Sequence, residues 1–291
     1  MGILRWIMIG GLTILAVTGA GALLALHGQA TGWLVTKRSL STWVEAIEGH
    51  TEVIRPPGAG PFPVFAIFPG CGGVRPHHAQ WARLAADEGY LALIVDSFGL
   101  RGLDRAQSLR DVCSGTRLWG RERAGDVAAA LALVRRREDT DPERIVLMGQ
   151  SHGAWSIMDL MAMDLEDRRP TSLSQPLDPS IRRGVIGTVL FYPYCGLFSL
   201  SGSEGWGHTP PTLMFVPMED QVVSALACLE TAGALEETGL SLDLVTFPDA
   251  DHAFDEFALG TDEGSPYRQD LTEQARATVA GFLRRVGSSG P

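Results

Sequence analysis

A tight turn with a glycine at each end constrains the fold of this chain more than any other feature. The turn is Gly149-Gln150-Ser151-His152-Gly153, and it follows an apolar run over residues 144–148 that predicts a buried strand. A helical pattern over residues 154–163 begins directly after it. Glycine is required at both ends because the serine backbone is strained and flanking side chains would collide across the turn. The stretch therefore predicts a nucleophile elbow, which exposes the Ser151 hydroxyl at the carboxyl end of a parallel sheet.

The other two members of a catalytic triad follow Ser151 in the order that this arrangement requires. Residues 211–216 predict a buried strand, and Asp220 lies just beyond its end. Residues 242–247 predict the next strand, and a turn after that strand leads to His252. Parallel strands place their carboxyl ends at one edge of a sheet, so we expect these three side chains to meet there.

These residue types together perform nucleophilic catalysis. His252 would accept the proton of Ser151 as the serine attacks a carbonyl carbon, and would then pass that proton to the leaving group. Asp220 would hold the imidazole in the required tautomer and stabilise the imidazolium that forms.

The acid is the member of the triad for which the sequence offers alternatives. Asp220 is favoured because it lies where the turn leaves the strand. Its neighbour Glu219 could serve instead. Asp249 or Asp251 could also approach His252 from within the same loop.

A glycine-rich loop early in the chain predicts an oxyanion hole. Residues 64–68 predict a core strand that runs directly into Pro69-Gly70-Cys71-Gly72-Gly73. Glycine in such a loop lets a backbone N–H approach a carbonyl oxygen closely. We expect the donors to be the backbone N–H groups of Cys71 and of His152, the residue after the nucleophile.

The remaining sequence predicts a single α/β-hydrolase domain over residues 36–291. Apolar strand-like runs alternate with helical patterns, the clearest over residues 121–137, which predicts a mostly parallel sheet with helices on both faces. The net charge of −10 argues against nucleic acid as a partner. The adjacent His77 and His78 have no cysteine or carboxylate spacing typical of zinc ligands, so we predict no metal site.

Several motifs together resemble the dienelactone hydrolase family, over about residues 51–282. They are FPGCGG at residues 68–73, DSFGLRG at residues 96–102, GQSHGAW at residues 149–155 and DHAF at residues 251–254. The resemblance implies an α/β-hydrolase domain without a cofactor, with Ser151, Asp220 and His252 as the triad.

The chain departs from that family at two positions. Members named for dienelactone cleavage carry a cysteine nucleophile where this chain has Ser151, and many relatives carry histidine where it has Pro69. Because the family is broad in substrate, the resemblance implies a reaction class rather than a particular molecule.

The sequence therefore predicts a serine hydrolase that cleaves small-molecule carboxylic esters or lactones through an acyl-enzyme. A peptidase or amidase that uses the same triad is one alternative. An inactive hydrolase fold that binds a partner at the membrane is another. The oligomeric state has no signature in the sequence.

An uncharged apolar run over residues 6–26 follows Arg5. Its length of about 21 residues would span a bilayer as a helix, and the preceding arginine predicts that the catalytic domain lies outside the cytoplasm. The small residues of Gly28-Gln29-Ala30 offer a site for cleavage as a signal peptide instead. We therefore expect residues 1–35 to be an N-terminal apolar helix that anchors the enzyme or is removed, leaving it periplasmic or secreted.

Export would place the four cysteines in an oxidising compartment. Their positions favour pairing Cys71 with Cys113, near the rim of the active site, and Cys195 with Cys228. Other pairings and four free thiols stay open, because spacing does not determine connectivity.

Specificity should come from the loops around the triad. Arg101 could bind an anionic group of a substrate, and Trp206 could flank the acyl pocket. Both residues could instead be structural.

Overall fold

One sheet of seven strands organises the chain, in the order β1-β3-β2-β4-β5-β6-β7. The computed structural model describes residues 21, 23–259 and 266–288. Within them, β1 runs antiparallel to β3 and every other neighbouring pair is parallel, as predicted. The strands are β1 Thr51–Ile54, β2 Phe62–Phe68, β3 Leu91–Val95, β4 Thr140–Gln150, β5 Val185–Phe191, β6 Thr212–Pro217 and β7 Leu242–Phe247.

Helices cover both faces of this sheet. The helices are α1 Leu40–Glu48, α2 Pro76–Asp87, α3 Arg105–Asp111, α4 Gly120–Arg136, α5 His152–Ala162, α6 Ser201–Glu204, α7 Ala225–Glu237 and α8 Gln269–Ser288. One buried apolar cluster joins α1, α4, α5 and α7 to one face, and a second joins α2 and α8 to the other. Helix α2 begins with Pro76, which suits a first helical position because its missing N–H would have no partner there.

Side chains alternate between the two faces along each strand, so one sheet contributes to two hydrophobic cores. In β2, Val64 and Ala66 belong to the first cluster, whereas Phe65 and Ile67 belong to the second. Successive side chains of a strand point to opposite faces, so a strand with both faces covered becomes apolar throughout. Every residue from Val64 to Phe68 is buried, as the uninterrupted apolar run predicts.

The cysteines form both predicted disulfides. Cys71 is bonded to Cys113, and Cys195 is bonded to Cys228. The first bond ties the loop after β2 to the segment after α3, and the second ties the loop after β5 to α7.

The predicted N-terminal apolar helix lies largely outside the described residues. Of the run over residues 6–26, the structure describes residues 21 and 23–26. Residues 23–31 are helical. In the described part of the chain, no helix is both long and apolar enough to cross a membrane.

Candidate active site

Ser151 occupies the turn between β4 and α5, with backbone angles of φ 51° and ψ −116°. This conformation is rare for a residue with a side chain and marks the strained turn that the sequence predicts. A Cβ on Gly153 would collide with the carbonyl oxygen of Phe68, and a Cβ on Gly149 would collide with the backbone of Ala154. Both glycines therefore permit close packing of the turn, and Gly153 also brings the loop after β2 against it.

Three side chains meet at the carboxyl edge of the sheet. The Nε2 atom of His252 lies 3.0 Å from Oγ of Ser151, and its Nδ1 atom lies 2.7 Å from Oδ2 of Asp220. The Asp220 side chain is fully buried and that of His252 is 12% exposed. The other oxygen of Asp220 accepts hydrogen bonds from the backbone N–H groups of Val222 and Val223, each 2.8 Å long. The carboxylate is thus held by three donors and fixes the orientation of the imidazole.

None of the three alternative acids contacts the imidazole of His252. Glu219 is exposed. Asp249 forms an ion pair with Arg268 at 3.0 Å. Asp251 accepts a hydrogen bond from the backbone N–H of His252 at 2.6 Å, which shapes the loop rather than the ring. Asp220 is therefore the carboxylate that the fold brings to the histidine.

The two predicted oxyanion donors belong to the loop after β2 and to the start of α5. Cys71 belongs to the loop after β2, where a Cβ on Gly70 would lie 3.5 Å from the Ser151 side chain. His152 is the first residue of α5, so its N–H has no acceptor within the helix. Neither backbone N–H donates to another protein group in the described segments. Both are available to an oxygen atom bound beside Ser151.

A buried arginine beneath the elbow was not predicted. Arg123, on α4, is fully buried; its Nη1 donates to Nδ1 of His152 at 3.1 Å and its Nε donates to Oγ of Ser97 at 2.9 Å. Burial and, to a smaller extent, the charge of Arg123 together lower the pKa of His152 to about 3. The imidazole is therefore neutral, with Nδ1 as an acceptor. The signal in the sequence is a pair of charged residues, Arg123 and Asp126, within the apolar pattern of α4.

A buried carboxylate connects the elbow to the histidine loop and was also missed. Asp255 is 1% exposed and accepts hydrogen bonds from Nε1 of Trp81 at 2.7 Å, Nε2 of Gln150 at 2.6 Å and the hydroxyl of Tyr192 at 2.7 Å. Gln150 immediately precedes Ser151, and the Tyr192 ring centroid lies 4.6 Å from that of His252. One side chain thus fixes three elements around the site.

Two cavities meet at Ser151. The first has a volume of about 290 Å³ and contains His252, Arg75, Arg105 and Glu256 in its wall. The second has a volume of about 320 Å³ and contains Trp119, Trp155 and Phe198 in its wall. Ser151 and the Cys71–Cys113 disulfide line both.

The structure corrects the two expectations for substrate-binding side chains. Arg101 forms a buried bidentate ion pair with Asp126, at 2.8 and 2.9 Å, and lines neither cavity beside Ser151. Trp206 is buried in the core, and its Nε1 donates to Oγ of Ser201 at 2.7 Å. Both side chains satisfy partners inside the fold, so neither is free to contact a substrate.

Among the described residues, no group of three or more histidine, cysteine, aspartate or glutamate side chains could hold a metal ion. The arrangement at Ser151 offers instead a nucleophile, a base, an orienting carboxylate and two free N–H donors.

Comparison with known proteins agrees with this architecture. Residues 50–168 match the model of the dienelactone hydrolase family. No curated protein matches the chain.

Several solved structures share the fold. A Klebsiella pneumoniae protein described as a dienelactone hydrolase is 18% identical, with a TM-score of 0.62 over 80% of this chain and 92% of its own. Thermogutta terrifontis esterase 2 is 19% identical, with a TM-score of 0.61 over 83% and 90%. A dienelactone hydrolase-like promiscuous phosphotriesterase from metagenomic libraries is 17% identical, with a TM-score of 0.62 over 81% and 92%. These similarities establish an α/β-hydrolase fold.

Proposed function

We propose that this chain, whose residues 50–168 match the dienelactone hydrolase family, is a hydrolase that cleaves carboxylic esters or lactones through an acyl-enzyme on Ser151. One observation carries the proposal: an unbroken line of contacts from Oγ of Ser151 through His252 to the buried Asp220. In this geometry a single imidazole can take the serine proton on one nitrogen while its other nitrogen donates to a carboxylate.

The first half of the reaction forms the acyl-enzyme. Oγ of Ser151 attacks the carbonyl carbon as its proton passes to Nε2 of His252. The carbonyl oxygen becomes an oxyanion and accepts hydrogen bonds from the backbone N–H groups of Cys71 and His152. Loss of one such donor typically slows an enzyme by about a hundredfold or more.

Collapse of the oxyanion completes the first half, and hydrolysis of the acyl-enzyme is the second half. The imidazolium gives its proton to the leaving oxygen, which breaks the ester bond and leaves the acyl group on Ser151. Water then attacks the acyl carbon as His252 accepts its proton. The imidazolium returns this proton to Oγ of Ser151 as the bond between Oγ and the acyl carbon breaks, so the carboxylic acid departs and the free serine is restored. Asp220 stabilises both imidazolium states, because its two backbone donors and its burial keep it oriented towards Nδ1.

We also propose that the enzyme is exported, with residues 1–35 serving as a membrane anchor or a cleaved signal peptide. The two disulfides support this proposal, because disulfides persist mainly in oxidising compartments. Fractionation of cells that produce the full chain, followed by N-terminal sequencing of the product, tests it. Recovery of an uncleaved protein in the cytosolic fraction would contradict it.

The catalytic proposal is tested by labelling the purified full-length protein with a fluorophosphonate probe. We expect labelling of the wild-type protein, none of Ser151→Ala or His252→Ala, and normal labelling of the matched surface variant Ser241→Ala. Rates on paired 4-nitrophenyl ester and 4-nitroanilide substrates then separate an esterase from an amidase. A folded wild-type protein that resists labelling would overturn the proposal in favour of an inactive binding fold.

A further inference from the structure

Backbone strain in the described residues is concentrated around the nucleophile. Five residues other than glycine have a positive φ: Leu118, Ser151, Tyr192, Phe198 and Ala253. Four of them line a cavity beside Ser151, and Leu118 directly precedes Trp119, which does so as well. Such conformations cost free energy and persist only where the surrounding structure fixes them, most often at functional sites. Maintaining the walls of both cavities therefore requires free energy from the rest of the fold.

The second cavity has an aromatic wall. Trp119 stacks on Phe198 with 4.3 Å between ring centroids, and Trp155 packs against Tyr194 at 4.7 Å. Phe198 adopts φ 76°, so a strained backbone places one of these rings. Aromatic walls favour another ring, which can pack in an offset or edge-on arrangement.

Charge distinguishes the two cavities. Among the residues that the structure describes, no Asp, Glu, Lys or Arg lines the second cavity. His152, which does line it, is neutral because burial lowers its pKa to about 3. The first cavity contains Arg75, Arg105 and Glu256 in its wall. A charged group would therefore lose its hydration without gaining an ionic partner in the second cavity.

The position of the base assigns each half of an ester to a cavity. His252 must give its proton to the leaving oxygen, and His252 lines the first cavity and not the second. The alcohol half of an ester bound for reaction therefore lies on the side of the first cavity. The acyl half, on the opposite side of the carbonyl carbon, points into the second.

We propose that the second cavity is the acyl-binding site and that it selects esters of uncharged, aryl-substituted carboxylic acids. The inference rests on the proposed function at Ser151 and specifies its substrate class. The volume agrees, because an apolar cavity of roughly 150 Å³ accommodates a benzene ring and this one encloses about 320 Å³. Phe198 and Trp119 are the side chains that would contact the ring.

The test compares kcat/KM of the full-length protein for three esters that share one leaving group. They are 4-nitrophenyl phenylacetate, 4-nitrophenyl acetate and mono-4-nitrophenyl glutarate, each corrected for its rate with hydroxide. We expect the phenylacetate to exceed the acetate by about tenfold or more. We expect the anionic glutarate to be the poorest substrate, because its carboxylate would have no cation to pair with.

Variants at Phe198 identify the wall that produces the preference. Phe198→Gly removes the ring and suits the positive φ, so we expect it to fold and to reduce the ratio of phenylacetate to acetate by about fivefold. Phe198→Tyr keeps the ring and should keep the ratio. Leu109→Ala shortens an apolar side chain of the first cavity and should also leave this ratio unchanged.

Two results would overturn the assignment while leaving the proposed function intact. One is equal kcat/KM for phenylacetate and acetate in a protein whose Ser151 labels with the fluorophosphonate probe. The other is a phenylacetate preference that persists unchanged in Phe198→Gly. If no ester is hydrolysed and Ser151 does not label, the acyl-site assignment and the proposed function both fail.

Discussion

Nη1 of Arg123 lies 3.1 Å from Nδ1 of His152, so a fully buried guanidinium supports the residue that follows Ser151. The same arginine donates to Ser97, and its guanidinium carbon lies 4.9 Å from the ring centroid of Phe98. Helix α4 is thereby connected to the first turn of α5, where the N–H of His152 would face the oxyanion.

Replacing Arg123 by methionine should destabilise the protein and slow it. Ser97 and His152 would each lose a buried partner, so we expect the free energy of unfolding to fall by about 2 kcal/mol. We also expect kcat to fall with little change in KM, because the donor at His152 would be less well oriented. Urea denaturation and ester kinetics measure the two effects. The exposed Arg110→Met is the matched control, and equal behaviour of both variants would contradict the role.

The interior contains two fully buried ionisable groups whose pKa values shift in opposite directions. Burial raises the pKa of Asp159 from its ordinary 3.8 to about 7, and burial lowers the pKa of His152 from 6.5 to about 3. Between about pH 4 and 6.5 the folded state therefore binds a proton at Asp159 that the unfolded chain lacks. In the same pH range, the folded state lacks a proton at His152 that the unfolded chain binds. The two contributions to the pH dependence of stability oppose each other.

In Asp159→Asn, the pH dependence of the free energy of unfolding should reveal the contribution of His152. The Asp159 carboxyl releases its proton at a higher pH in the folded state than in the unfolded chain. Folding of the wild-type protein therefore becomes less favourable as the pH rises from about 4 to 7. The neutral amide removes this effect and can still accept from the backbone N–H of Leu200. Relative to wild type, the free energy of unfolding of the variant should rise by about 1.4 kcal/mol per pH unit across that range. Denaturation series at several pH values measure it.

The reciprocal variant serves as the control. His152→Asn removes the group whose stabilising contribution is complete above its unfolded pKa of 6.5 and is lost as the pH falls towards 3. Its stability relative to wild type should therefore rise as the pH falls from 6.5 to 4. Parallel pH profiles for wild type and both variants would contradict the assigned shifts.

Asp255 should prove a positioning residue. Asp255→Ala would leave Trp81, Gln150 and Tyr192 with buried donors and no acceptor, and the free energy of unfolding should fall by about 3 kcal/mol or more. Asp255→Asn keeps one acceptor oxygen and should be less destabilised. In both variants we expect fluorophosphonate labelling of Ser151 to slow by about tenfold or more under conditions where the protein is folded. Unchanged labelling in a folded Asp255→Ala protein would limit this residue to a structural role.

Local patterns predicted that Ser151, Asp220 and His252 would lie together, because each of these residues follows the end of a strand. The apolar strand patterns before Ser151 and before His252 predict the elbow and the histidine loop. The turn after β6 predicts the position of Asp220. The choice between Asp220 and Asp251 needed the structure, since both lie within reach along the chain. Only the path of the loop turns one towards the imidazole and the other towards backbone N–H groups.

Residues whose roles depend on distant partners were beyond sequence reasoning. Arg101 stands in a loop beside the sheet edge, and its sequence neighbours are the same whether it faces a substrate or the buried Asp126. The hydrogen-bond donors to Asp255 lie 63 to 174 residues away from it along the chain. Such contacts are determined by the packing of whole elements, which no local pattern specifies.

Removing either disulfide should lower stability, whereas removing only one of them should lower activity. Cys71–Cys113 holds the loop that carries one expected oxyanion donor and lines both cavities, whereas Cys195–Cys228 ties the loop after β5 to α7. Removing either bond should lower the free energy of unfolding by about 2–4 kcal/mol, because loops of 42 and 33 residues are no longer closed in the unfolded chain.

Activity should respond to only one of the two bonds. We expect the Cys71→Ala/Cys113→Ala double variant to lose about tenfold or more in kcat, measured well below its unfolding temperature, because its backbone donor is no longer fixed. The Cys195→Ala/Cys228→Ala double variant should keep kcat within about twofold under the same conditions. Ester kinetics beside thermal unfolding curves give both quantities. Equal losses of kcat in the two variants would mean that the first disulfide stabilises the fold without positioning the oxyanion loop.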